Sequence, residues 1–235
     1  MSIALLFALA AAAPAERSDY SPRDTRRAIE EYGRCIVGKQ HDLAAAAIAR
    51  NVDNATLMRN YSQLIDGRCM PLPPLGSTIK VRFMGDQFRY ALADGLVHKD
   101  LLRAPAPAVG VLPQLDHREP TPPPRVDKKG RPLSEAKYAA ALEGYRQAQA
   151  FAYVSRFGEC VVRANPEGAR ALLGTTAESP EETAAFATLS NALGNCLESG
   201  QKIELSKVAL RGTIAVNYYR LATVARSLAS AGGRQ

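Results

Sequence analysis

The hexapeptides Tyr32-Gly33-Arg34-Cys35-Ile36-Val37 and Phe157-Gly158-Glu159-Cys160-Val161-Val162 stand 125 positions apart and share an aromatic, a glycine, a cysteine and two aliphatic residues in one order. Working outward, Ile29 matches Val154, and residues 42–48 (DLAAAAI) match 167–173 (EGARALL), at that same offset. The second cysteines follow in Gly67-Arg68-Cys69 and Gly194-Asn195-Cys196. Next come the short apolar segments Ile79-Lys80-Val81 and Ile203-Glu204-Leu205, then 88–93 (FRYALA) against 210–215 (LRGTIA). Features recurring in one order over so long a span read as an internal duplication, and a missed duplication mis-assigns the whole fold.

Each copy reads as helical. Ile29, Tyr32 and Ile36 fall at i, i+3 and i+7, as do Val154, Phe157 and Val161, which places one apolar face on a 3.6-residue period. Ser21-Pro22-Arg23-Asp24 and Ser179-Pro180-Glu181-Glu182 each carry a capping serine, a proline at the first helical position and acid in the first turn, with Glu182 placed for a capping box. Asn165-Pro166-Glu167 opens a short helix that Gly174 is expected to end at positive φ. The third-helix stripes are Met58, Tyr61 and Ile65 in the first copy and Phe186, Leu189 and Leu193 in the second. The final helix carries Ile214, Tyr218 and Leu221, and its apolar face can continue to Leu228. The segments around Val81 and Leu205 are either a minimal two-stranded ladder or extended connections. The expected fold is therefore all-α. It comprises two tandem disulfide-stapled helical repeats of about four helices each, at 16–102 and 134–235, joined by a Pro-rich linker at 103–133.

Residues 3–13 are unbroken apolar sequence, followed by Ala13-Pro14-Ala15 and then Glu16-Arg17. This is the h-region and small-residue cleavage site of a secretory signal, cut after Ala15, although Met1-Ser2 brings no Lys or Arg. No later stretch approaches the ~20 apolar residues of a membrane span. Arginine outnumbers lysine 22 to 8 and alanine is abundant, the bias of a GC-rich bacterial genome, so the expected destination is the periplasm or the medium. In an exported chain four cysteines favour disulfides over a metal site. Of the three possible pairings, a duplicated unit that folds as a unit selects Cys35 with Cys69 and Cys160 with Cys196; a cross-unit pairing is the competitor. There is no C-x-x-C, and His41, His98 and His117 are unmatched between the copies, so no metal or cofactor is expected.

Eight prolines fall between Arg103 and Leu133, a composition that favours an extended, semi-rigid spacer. The net charge of +7 divides as +2, +3 and +2 over the first unit, the linker and the second unit. Spread in this way it does not call for a nucleic-acid partner. Arg89 and Arg211 are the matched charged pair of the final helices. With Tyr218, beside Tyr219, they are candidate ligand or anion contacts; the bland alternative is a pair of inherited salt-bridging arginines. No phosphate-loop, nucleophile-elbow, dinucleotide or zinc-protease motif occurs. A Ser/His/Asp arrangement assembled from distant residues stays open. The leading expectation is an exported, non-enzymatic helical scaffold or binding protein whose partner is another envelope protein or an anionic polymer. The alternatives are a hydrolase or ligand-binding protein with its site in the cleft between the repeats, or envelope tethering through the basic linker.

Overall fold

The computed structural model describes residues 21–70, 83, 85–198 and 204–232. The leader at 1–15 and the ladder or connection expected at 79–81 and at Ile203 lie outside the described residues. The helices are α1 (Pro22–Lys39), α2 (His41–Ala49), α3 (Asn54–Asn60), α4 (Gln87–Asp100), α5 (Glu135–Ala164), α6 (Pro166–Leu173), α7 (Pro180–Thr188), α8 (Ser190–Asn195) and α9 (Lys207–Gly232). Short 3₁₀ turns lie at Ser62–Leu64 and Gly67–Cys69. Among the described residues the fold is all-helical, with one isolated antiparallel bridge between Val126 and Pro132.

The helix starts follow from the sequence. Ser21, Asn165 and Ser179 each accept a hydrogen bond from a first-turn backbone N–H, those of Asp24, Gly168 and Glu182, which satisfies donors that a helix start leaves orphaned. Two local expectations fail. Gly174 ends α6 at φ −76°, because its N–H turns back to the Arg170 and Ala171 carbonyls and needs no left-handed residue. Glu182 closes no capping box: its carboxylate accepts from the Glu178 N–H and from two distant arginines.

The centre of the molecule is the pair α4 and α9, packed on each other and flanked by α1 on one side and α5 on the other. Every residue of α4 from Phe88 to Val97 and of α9 from Arg211 to Ala222 is buried. A helix wrapped on all sides has no polar face to spare, so its charged residues must find partners inside. Glycines set the spacing. A Cβ on Gly33 of α1 would collide with the Ala91 carbonyl of α4, one on Gly158 of α5 with the Thr213 hydroxyl of α9, and one on Gly212 of α9 with the Tyr90 ring of α4. The disulfides Cys35–Cys69 and Cys160–Cys196 span Cα distances of 5.6 and 5.7 Å. Each ties a long helix to the segment that closes its own half. For loops of this length such a tie contributes roughly 3–4 kcal/mol.

Ile29, Tyr32, Ile36, Phe157 and Val161 are buried as the periodicity requires. Of the third-helix stripe of the first half only Tyr61 is. Met58 and Ile65 are 38% and 45% exposed, whereas Leu57, Tyr61 and Leu64 point inward. Helix α3 stops at Asn60 and gives way to 3₁₀ turns, so a single 3.6-residue period does not run through the segment. In the second half the corresponding stretch is broken into α7 and α8. Ile214, Tyr218 and Leu221 are core, but the apolar face does not extend to Leu228, which is 51% exposed.

The proline-rich segment is a strap laid antiparallel along α5. Arg163 donates to the carbonyls of Val109, Leu112 and Pro113 at 2.7, 3.2 and 2.7 Å. The Leu115 N–H donates to the Glu159 carboxylate, and Arg156 pairs with Glu119. Further along, the Arg125 guanidinium sits 4.3 Å from the centre of the Tyr138 ring. Val109, Leu115 and His117 are buried beneath the strap. An extended, N–H-poor chain makes few hydrogen bonds to itself, so α5 supplies them.

Candidate functional site

Two buried polar clusters occupy the junction where α4 and α9 bring the halves together. The first is built around Arg211 at the start of the buried stretch of α9. Its guanidinium reaches Asp94 of α4 at 2.9 Å, Glu182 of α7 at 3.3 Å and Glu30 of α1 at 3.5 Å. It also donates to the carbonyls of Leu172, Leu173 and Thr175, at the end of α6 and just beyond it. Arg26 of α1 pairs with Glu178 and Glu182, both at 2.6 Å. Arg34 lies 3.6 Å from Asp94 and 2.8 Å from the His98 ring. Arg26, Glu30, Asp94 and Arg211 line a small cleft of about 30 Å³ together with Tyr90 and Gly212.

Burial, reinforced by the charge of Asp94, pushes the Glu30 carboxyl up to about 7, against the pull of Arg211, Arg26 and Arg34. Asp94 Oδ2 is buried and makes no hydrogen bond; Arg34 lies 3.6 Å from it. Burial lowers the pKa of His98, with Arg34 and Arg211 acting in the same direction and Asp94 opposing.

The second cluster lies beneath the strap. His117 Nδ1 is 2.9 Å from Ser155 Oγ and its Nε2 is 2.5 Å from Glu159 Oε2. Asn51 donates to Ser155 Oγ and to the Asp116 carbonyl. Asn217 of α9 donates to the Ser155 carbonyl, and Arg220 donates to the Asp116 carbonyl. Burial alone would raise the Glu159 carboxyl, but hydrogen bonds from His117 and Arg163 outweigh it and hold it below the usual range. A serine, a histidine and a glutamate thus stand in hydrogen-bonded sequence, as nucleophile, base and orienting acid would. A nucleophile must also meet a carbonyl carbon at about 3 Å. Ser155 is 2% exposed, on a face of α5 closed by Asn51 and His117. The geometry describes a structural lock between strap and body.

The anion-contact candidates part company in the structure. Arg211 is saturated by carboxylates from both halves, as a salt-bridging arginine is. Arg89 is buried, donates to Asn51 Oδ1 and stacks on Phe151, its guanidinium 4.8 Å from the ring centre; burial lowers its pKa. Tyr218 is fully buried, its hydroxyl has no hydrogen-bond partner, and burial pushes its pKa up to about 12. Tyr219 instead lines a separate surface groove with His41 and Asp100: its hydroxyl donates to Asp100 Oδ2, which His41 Nε2 also meets at 2.8 Å. No group of three or more His, Cys, Asp or Glu side chains placed to hold a metal occurs among the described residues.

Sequence reasoning singled out Arg211 but missed its partners Glu30, Asp94 and Glu182, and it treated His117 as a linker residue. The available signal was charge inside an otherwise apolar run, Arg89 and Asp94 between Phe88 and Val97. No protein family model, curated protein or solved structure matches this chain.

Proposed function

We propose that the chain is an exported bacterial protein, periplasmic or secreted, in which two disulfide-stapled helical units of common origin form a rigid, non-catalytic framework for binding another envelope component. The observation that carries this reading is Arg211, which spends its charge on Asp94 and Glu30 from the first half and Glu182 from the second. A group so committed holds halves together and is not free for a substrate. Common origin is supported by the 125-residue offset of the hexapeptides and by the glycine seats Gly33 and Gly158, which occupy equivalent places in it and admit α4 and α9 respectively. Export is supported by two disulfides with no free cysteine among the described residues. The test is expression of the full chain in a bacterium with an oxidising periplasm, then cell fractionation, N-terminal sequencing and non-reducing peptide mapping. A product beginning at Glu16 with both bridges formed agrees with the proposal. A cytoplasmic product beginning at Met1 with free thiols refutes it.

A second reading, a ligand-binding or hydrolytic site in the cleft between the halves, draws on the convergence there of Arg26, Glu30, Asp94 and Arg211. It requires a small polar molecule to compete with the ion pairs that fill the cleft.

A further inference from the structure

Helix α5 runs for 30 residues, yet its buried side chains begin only at Ala152. Between residues 135 and 150 none is buried. That leaves about 24 Å of helix extending past the core, and its half-buried stripe of Tyr138, Leu142 and Tyr145 lies on the side where the strap returns. The pair Glu119–Arg156 fastens the strap where α5 leaves the core, and in the projecting part Arg125 pairs with Glu135 and covers the Tyr138 ring. The two elements together make a helix-and-polyproline arm.

The arm ends in a built turn. The Asp127 N–H donates to the Arg131 carbonyl at 2.8 Å and the Leu133 N–H to the Arg125 carbonyl at 2.9 Å. The Asp127 carboxylate accepts from the backbone N–H groups of Lys129 and Arg131, and Gly130 supplies φ +76°. Ordering a projecting hairpin that buries little apolar surface is entropically unfavourable, and here it is held at both ends.

Charge is not uniform along the arm. On its side, Glu143 pairs with Arg146. At its end, residues 125–137 hold five basic and two acidic side chains, so this stretch carries +3 of the chain's +7. Asp127 pairs with Arg131 and Glu135 with Arg125; no ion pair among the described residues takes up Lys128, Lys129 or Lys137. Beside them Val126 is 44% exposed. A linear polymer would lie along the paired side, whereas a plane of negative charge is met by the tip alone.

We propose that this arm docks end-on to a bilayer surface bearing anionic phospholipid headgroups, with Lys128, Lys129, Arg131 and Lys137 making the contact and Val126 at the interface. This rests on the chain being an exported envelope protein and names the component it binds. Attraction of clustered basic residues to such a surface is electrostatic and salt-sensitive. The test is flotation of the full, disulfide-bonded chain with vesicles of phosphatidylglycerol and phosphatidylcholine, and with phosphatidylcholine alone, at low and high salt. The expected result is binding to the anionic vesicles only, lost at high salt and weakened about tenfold or more in K128E/K129E. The control R59E/K207E, with the same change of net charge elsewhere on the surface, should bind as the parent does. Equal binding to both vesicles, no binding by the parent, equal loss in the control, or binding to soluble polyphosphate without binding to vesicles each overturns the proposal. Such a failure leaves the export reading standing, because that is judged on the N-terminus and the bridges. A chain found reduced in the cytoplasm removes both.

Discussion

Replacing Glu30 by glutamine should stabilise the protein at alkaline pH and leave it nearly unchanged in acid. The folded protein holds the Glu30 carboxyl at about 7, against an ordinary value of 4.5. The unfolded chain therefore gives up this proton well before the folded one does. Below pH 4.5 both forms are protonated and the group contributes nothing. As pH rises from 4.5 to 7 the folded state is progressively penalised, and above 7 the full penalty remains. At about 1.4 kcal/mol per pH unit, that penalty reaches about 3 kcal/mol. The amide of Glu30→Gln keeps the shape and the neutral state, so the variant should recover most of that at pH 8 and under about 1 kcal/mol at pH 5. Urea denaturation of parent and variant at both pH values reads the difference directly, since the other titrating groups are common to both and cancel. A variant less stable than the parent at pH 8, or a difference that does not change with pH, would refute the argument. In that case the ion pair of Glu30 with Arg211 at 3.5 Å would outweigh burial and Asp94.

Arg211→Leu should destabilise by about 3–5 kcal/mol, because it takes the closest counter-charge from the buried carboxylate of Asp94, leaving it Arg34 at 3.6 Å, and leaves Glu182 with Arg26 alone; a loss under about 1 kcal/mol in the same denaturation assay would show that the cluster is not what joins the halves. Removing one bridge with Cys160→Ala and Cys196→Ala should cost about 2–5 kcal/mol, measured as a lower denaturation midpoint under oxidising conditions, with Cys35–Cys69 still formed on peptide mapping. Limited trypsin digestion should cut first after Lys128 or Lys129 at the arm's tip and spare Arg118, since His117 and Leu115 are buried beside it; early cleavage at Arg118 would mean the strap is not docked. Gly158→Val should destabilise by about 1–3 kcal/mol through overpacking against Thr213, read as a lower thermal midpoint.

Local features were legible in the sequence because their causes are local. A serine or asparagine followed by proline starts α1, α6 and α7 as expected, since the cap bonds residues three apart. Ile29, Tyr32 and Ile36 lie on one buried face for the same reason. The stripe of Met58, Tyr61 and Ile65 misled at its far end because it assumed one continuous helix: α3 stops at Asn60, and the 3₁₀ turn that follows buries Leu64 and leaves Ile65 exposed, while Tyr61 is buried as expected. His117 misled in another way. A proline-rich neighbourhood forecasts extended backbone, and the backbone is extended, but nothing within the segment says that Arg163 and Glu159 of α5 will receive it.

The sequence by itself therefore determined the helical class and most helix starts, and the cysteine pairing expected from it, Cys35 with Cys69 and Cys160 with Cys196, is the one the fold contains. These rest on periodicity and spacing over a few turns. Only the tertiary structure decided that the two halves share one core, that Arg211 meets Asp94 across 117 positions, and that the proline-rich segment is a strap ending in a basic turn. Those outcomes depend on which buried charge finds which partner when α4 and α9 pack, and ion pairs between distant segments leave no periodic trace in the chain.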